Sequence, residues 1–146
     1  MIGALHVATA VRPRADGSVM LAAVLRWNGT GASRVVVRRQ RETDMTVAAY
    51  RALLLGLGEA RRAGARELVL YAGDVSVAAQ LKGVEPAPAG ALGPYLQVRA
   101  LLNAFRFATV RHVETVAGQE AVFAAAAAVH SRRPAYSDLP LWAAAS

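Results

Sequence analysis

Few side chains in this sequence of 146 residues are of a type and in a place to do chemistry. The most suggestive is Asp74, which follows the apolar run Glu67-Leu-Val-Leu-Tyr-Ala72 and Gly73. An acid at the carboxyl end of a buried strand stands where α/β proteins place ligand chemistry. There a carboxylate can hold a divalent cation. It can equally be structural, because Asp at a strand-to-helix junction is a favoured helix N-cap worth about 1 kcal/mol. The histidines, His6, His112 and His130, stand far apart and share no metal-ligand spacing. Ser76, Ser131 and the other hydroxyl residues lie in no nucleophile motif. No cysteine is present, which excludes disulfides, a thiol nucleophile and a zinc–thiolate site. Gly56, Gly58 and Gly64 belong to a helix and its end, not to a phosphate loop.

The other chemistry on offer is positive charge. Seventeen Lys and Arg against ten Asp and Glu leave a formal charge of +7, and Lys82 is the single lysine. Such a surplus suits a polyanionic partner, nucleic acid above all. It is also what a composition that favours Arg over Lys would give, so placement must decide. The arginines cluster as Arg34, Arg38, Arg39 and Arg41 on one segment and its exit, Arg61, Arg62 and Arg66 at a helix end, and Arg132 with Arg133. The helix-end group is explained by the favourable field of a helix C-terminus. The first group suits phosphate contact or protection of an edge strand.

The elements that must position these residues follow from hydrophobic periodicity. Strands are expected at 2–11, 19–27 and 33–40, with a turn at Pro13, Asp16 and Gly17 and a hairpin signal at Asn28-Gly29. On the third strand, Val35 and Val37 share one face, and Arg34, Val36 and Arg38 the other. The spacing of Val47, Tyr50, Leu53, Leu54, Leu57 and Ala60 predicts a helix over 47–63, with Thr46 as N-cap and Gly64 as stop. A fourth strand, 67–72, is expected to be buried on both faces. Helix 75–81 follows and ends at Gly83. A Pro- and Gly-rich loop covers 84–94. Helix 95–105 is expected to turn Leu96, Leu101, Leu102 and Phe105 inward. Strand 107–113 and an alanine-rich helix, 118–130, complete the order. The expected fold is α/β: a mixed five-stranded sheet, three antiparallel strands and then α/β alternation, with helices on both faces. The domain is set at 1–131 and a C-terminal tail at 132–146. No apolar run reaches membrane-spanning length. Residues 1–11 lack a basic segment before them, so no signal peptide is expected and the location is taken as cytoplasmic.

The wording of several segments resembles the ribonuclease H-like superfamily, and within it the reverse-transcriptase-like branch of type 1 ribonuclease H. Thr46-Val-Ala-Ala-Tyr-Arg-Ala-Leu-Leu-Leu-Gly-Leu57 is similar to that branch's helix pattern N-x-x-A-E-Y-x-A-L-x-x-G-L. Gly73-Asp-Val-Ser-Val-Ala-Ala-Gln-Leu81 resembles its G-D-S-x-x-V-x-x-Q-L. Phe107-Ala-Thr-Val-Arg-His-Val113 resembles its fifth strand, with His112 at the family histidine, and Gly118-Gln-Glu-Ala-Val-Phe-Ala-Ala125 its last helix. The likeness covers about 46–129 well and the first 45 residues by strand order. It implies the ribonuclease H fold, phosphodiester hydrolysis with two Mg²⁺ held by carboxylates, and a hybrid duplex as ligand.

The family's acids are not matched. Its first-strand acid falls on Ala8 or Thr9, its helix acid on Ala49, its fourth-strand acid on Asp74 and its last-helix acid on Val122. Asp16 reads as a turn residue, and Glu120 lies about 200° around the helix from the expected acid. The duplex-gripping loop, Arg12-Pro-Arg-Ala-Asp-Gly-Ser18, keeps Arg12 and Arg14 but lacks the family's Asn and glycines. Val84-Glu-Pro-Ala-Pro88 carries no basic residue where the family often has one. The chain is therefore expected to be a catalytically degenerate domain that binds RNA, DNA or their hybrid through Arg12, Arg14, Arg34, Arg38, Arg39 and Arg41, needs no cofactor, and uses Asp74 as a cap. One alternative is a protein-interaction or dimerisation module working through the apolar tail Leu139-Pro-Leu-Trp142. The other is a Mg²⁺- or Mn²⁺-dependent ribonuclease with non-standard ligands around Asp74.

Overall fold

Alternating apolar residues in the first three segments give three long antiparallel strands. The computed structural model describes residues 3–27 and 33–112. Within it β1 (Leu5–Pro13), β2 (Ser18–Trp27) and β3 (Ser33–Arg41) form a meander. The β1–β2 turn is closed by Asp16, whose carboxylate accepts from the Ser18 amide at 3.0 Å and the Ser18 hydroxyl at 2.5 Å. These bonds hold the Asp16 carboxyl below its ordinary pKa. Gly17 supplies the positive φ of +85° the turn needs. β4 (Glu67–Ala72) lies parallel to β1, and β5 (Phe107–His112) parallel to β4. The strand order is β3-β2-β1-β4-β5, the mixed five-stranded sheet expected, with β3 at one edge. The loop at Asn28-Gly29, the expected last helix and the tail lie outside the described residues.

α1 (Met45–Arg62) begins two residues before the expected position. Its N-cap is Asp44, not Thr46. The Asp44 side chain accepts from the amides of Thr46 at 2.9 Å and Val47 at 3.2 Å. Thr46 is already helical, so its own amide needs this acceptor. α1 ends before Gly64, at φ +78°. Of its expected core face, Val47, Tyr50, Leu53, Leu57 and Ala60 are buried, while Leu54 is half-buried against β3. α2 (Val75–Leu81) has the bounds expected and ends before Gly83, also at φ +78°.

Two expectations are corrected. α3 (Leu92–Leu102) follows a single 3-10 turn (Ala89–Ala91) and starts three residues early. Pro94 lies in its first turn, where the missing amide would have had no helical partner anyway, so it does not break the helix. The inward stripe of α3 runs from Val98, and Leu96, about 200° around the helix from it, is 55 % exposed. Val98 becomes the buried residue of α3, Leu101 and Leu102 are half-buried, and Phe105 is buried just beyond its end. β4 is buried on one side only: Leu68, Leu70 and Ala72 are covered, whereas Val69 and Tyr71 are half-exposed. The reason is the pleat. Leu68, Leu70 and Ala72 share the core with Leu5, Val7, Ala23 and Leu25 and with side chains of α1, α2 and α3, whereas Val69 and Tyr71 face the opposite side. All described helices thus serve one face. Helices on both faces were expected; the expected last helix, 118–130, is outside the described residues.

Candidate functional site

Three of the four positions where acids are expected are described, and the fold brings them together. Thr9 pairs with Ala23 and lies on the α1 side of the sheet with Leu5 and Val7, whereas Ala8 belongs to the small cluster on the opposite face. Thr9, not Ala8, therefore holds the first-strand place. Ala49 comes from α1 and Asp74 from the end of β4. With Val11, Pro13 and Met45, these three line one cavity of about 240 Å³. Sequence reading missed the apolar members of the cavity and the reason for Gly73. A Cβ on Gly73 would lie 3.0 Å from the Thr9 carbonyl oxygen, so glycine lets the end of β4 close on β1. The motif G-D signals that need only once the strands are paired.

The chemistry of this cavity follows from its atoms. The Thr9 hydroxyl is buried and donates to the Tyr71 carbonyl at 2.9 Å. Ala49 offers no ligand. Asp74 accepts from the Ser76 amide at 2.8 Å and the Val77 amide at 3.2 Å, both through Oδ1, as the N-cap of α2. A two-metal centre needs several oxygen ligands with compensating charge. These three positions supply one carboxylate, half committed to a helix, and the other described residues of the wall are apolar. They do not fit such a centre. Among the described residues no three His, Cys, Asp or Glu side chains gather as metal ligands. Val122, the fourth position, lies outside the described residues.

Beside the cavity, the family tyrosine is locked into the core. Tyr50 is fully buried, donates to Gln80 Oε1 at 2.5 Å, and meets Tyr95 edge-on at 6.1 Å between centroids. Burial, followed by Tyr95 and the negative charges of Asp74 and Glu85, pushes the Tyr50 phenol up to about 12. The folded chain keeps this proton to higher pH than the unfolded chain. The contribution is therefore complete below about pH 10 and is lost as pH rises towards 12. Denaturant midpoints should fall over that window in the native chain. Tyr50→Phe should flatten that part of the profile and lower stability at neutral pH by about 1–3 kcal/mol, because the buried Gln80 oxygen loses its donor.

The structure divides the candidate arginines. Strand register puts Arg12 and Arg39 on either side of Met20, on the sheet face away from α1, and Arg41 follows Arg39 on that face. All three are exposed, as is Arg14 just past β1. Arg12 and Arg14 flank Pro13, a wall of the Asp74 cavity. Arg39 stands 4.0 Å from Asp16, a surface pair of small energetic value. Arg34 and Arg38 face the other way, towards α1. Arg34 pairs with Glu59 at 3.4 Å, and Arg38 lines a groove with Arg51 and Arg62. Glu59 also bonds Arg62, and Glu42 pairs with Arg51 at 3.5 Å. Of the histidines, His6 bonds the Tyr71 hydroxyl at 3.1 Å and stacks on its ring, away from the cavity. His112 ends β5 beside Ala72. His130 lies outside the described residues.

Sheet order, helix placement and the position of this cavity together define a ribonuclease H-like domain. The chain belongs to the Reverse transcriptase-like family, whose profile matches residues 7–128. Solved structures agree on the fold. The N-terminal RNase H domain of Rv2228c from Mycobacterium tuberculosis, solved as a fusion with maltose binding protein, superposes with a TM-score of 0.71 at 20% identity, covering 85% of this chain and 99% of that one. RNase H1 from the halophilic archaeon Halobacterium salinarum NRC-1 gives 0.70 at 24% identity, with 82% and 94% covered. LC11-RNase H1, solved in complex with an RNA/DNA hybrid, gives 0.69 at 15% identity, with 80% and 89% covered. No curated protein sequence matches the chain. No described helix is long and apolar enough to cross a membrane.

Proposed function

We propose that this domain binds nucleic acid, an RNA/DNA hybrid or a related duplex, without cleaving it. One observation carries the reading: Thr9, Ala49 and Asp74 converge on one cavity that, among the described residues, holds a single carboxylate, already engaged as a helix cap. The chemistry that would hydrolyse a phosphodiester is thinned out, while exposed arginines suited to phosphate contact remain. Arg12, Arg39 and Arg41 present an exposed basic band on the sheet face away from α1, Arg14 is exposed next to Pro13 of the cavity wall, and LC11-RNase H1, of the same fold, was solved with a hybrid bound. Arg34, by contrast, is tied to Glu59 and contributes less to this band.

Fluorescence anisotropy with a labelled hybrid at several salt concentrations tests the reading. Binding should weaken with salt at a slope of about −0.9 in log K per log salt for each phosphate neutralised. Replacing Arg12, Arg39 and Arg41 by Gln should flatten the slope by the equivalent of up to about three phosphates. The hybrid should remain intact with Mg²⁺ or Mn²⁺. Absence of binding at micromolar protein ends the proposal. Metal-dependent cleavage that disappears in Asp74→Asn would replace it with the nuclease reading.

A further inference from the structure

A second basic site lies on the other side of the molecule, where no family acid or candidate arginine was expected. The carboxyl ends of α2 and α3 and the outer edge of β5 enclose an open cleft of about 580 Å³. That size falls within the roughly 300–1,000 Å³ of ligand-binding clefts. Lys82, Arg99 and Arg106 line it together with Asn103 and Thr109, and among the described residues no carboxylate does. The nearest acid in strand register, Glu67, sits across from Phe107 and is not part of the wall. Two of the cations are held in place. Arg99 Nη1 donates to the Leu81 carbonyl at 2.8 Å, at the end of α2. The Arg106 guanidinium lies over the Phe107 ring, 5.5 Å from its centroid. Phe107 is nonetheless 58 % exposed.

These features combine what a single strand of nucleic acid needs. Fixed cations and neutral hydrogen-bonding side chains meet phosphates, and an exposed aromatic ring beside a guanidinium offers a face on which a base stacks. Among the described residues no strand pairs with the outer edge of β5, which could instead accept an acidic peptide as an added strand. Phe107 is not part of the wall but stands next to it under Arg106, and this exposed ring favours nucleic acid, since strand addition makes no use of it. We infer that the cleft between α2, α3 and β5 binds single-stranded nucleic acid, with Lys82, Arg99 and Arg106 on the phosphates and Phe107 under a base. The inference rests on the nucleic-acid-binding reading but uses a different surface. A flanking single strand and a duplex would thus occupy separate sites.

Anisotropy titration of the full chain with a short labelled oligothymidylate, the labelled hybrid and a labelled polyglutamate peptide tests it. The double change Lys82→Gln and Arg106→Gln should weaken oligothymidylate binding at least about tenfold at low salt and reduce the salt slope by about 1.4, or about 0.7 for each phosphate left without its cation. Phe107→Ala should weaken it about tenfold with the slope unchanged, because stacking releases no counterions. Hybrid affinity should stay within about twofold in both variants, which also reports that they fold, and should fall only in the Arg12, Arg39 and Arg41 variant. Unchanged oligothymidylate affinity in both variants, with hybrid binding intact, overturns this inference alone. Polyglutamate binding as tight as oligothymidylate, and lost in the same variants, overturns it in favour of an acidic peptide. A native chain that binds neither nucleic acid overturns both readings together.

Discussion

A chain carrying Thr9→Asp and Ala49→Glu should lose stability without metal and regain part of it with Mn²⁺, whereas the native chain should be indifferent to the ion. Both positions face the cavity that holds Asp74, and Thr9 and Ala49 are 1 % and 7 % exposed. Two added carboxylates would sit beside a third in a poorly solvated space. Each disfavours ionisation of the others, and burying unpaired charge costs on the order of 3–5 kcal/mol. Thr9→Asp also removes the hydroxyl that satisfies the Tyr71 carbonyl. A divalent ion turns the same repulsion into coordination. At a hundred times its dissociation constant it would restore about 2.7 kcal/mol. Thermal unfolding with and without MnCl₂ reads both effects. Val122 would still not be an acid, so metal binding rather than turnover is the measurement. If the native chain gains as much from Mn²⁺ as the variant does, the cavity already binds metal and the non-catalytic proposal falls.

That prediction depends on a convergence the sequence only half discloses. Asp74 is legible as a strand-end acid because Gly73 and the apolar run of β4 mark the strand, and the bounds of β4 and α2 are legible to the residue. The choice between Ala8 and Thr9 is not. Neighbouring strand residues face opposite sides, and only the pairing of β1 with β2 and β4 shows which parity lies under α1. The same pleat splits the arginines of β3, so a cluster compact in sequence becomes two surfaces with different partners. The Asp44 cap is masked by a second capping residue, Thr46, two positions later. Pro94 looks like a breaker because its tolerance depends on its place in the helix. Lys82, Arg99 and Arg106 carry no shared motif. They meet only because α2, α3 and β5 bring three distant segments to one edge.

Replacing Gly56 by Ala should destabilise the domain by about 1–3 kcal/mol, while the same change at Gly58, two residues along α1, should stabilise it by about 0.5–1 kcal/mol. Where a helical Cβ meets no close neighbour, Gly to Ala helps because the unfolded chain loses more freedom than the folded one. Gly58 meets that condition: a Cβ there would find only Arg62 Nη1, at 3.9 Å. Gly56 does not. It lies where α1 crosses β1 and β2, and a Cβ would stand 2.7 Å from Val7 Cγ1 and 3.3 Å from the Ala23 Cβ. Val7 is fully buried and β-branched, with little room to rotate away from Leu53 and Leu57. The helix must lift from the sheet, and the lift is transmitted along α1 to Ala49 at the Asp74 cavity. Urea midpoints of the two variants should therefore move in opposite directions. A shift of the same sign in both would mean that propensity, not the close approach of α1 to the sheet, sets the stability of this helix. The wall between α1 and β1 would then be looser than the 2.7 Å approach requires.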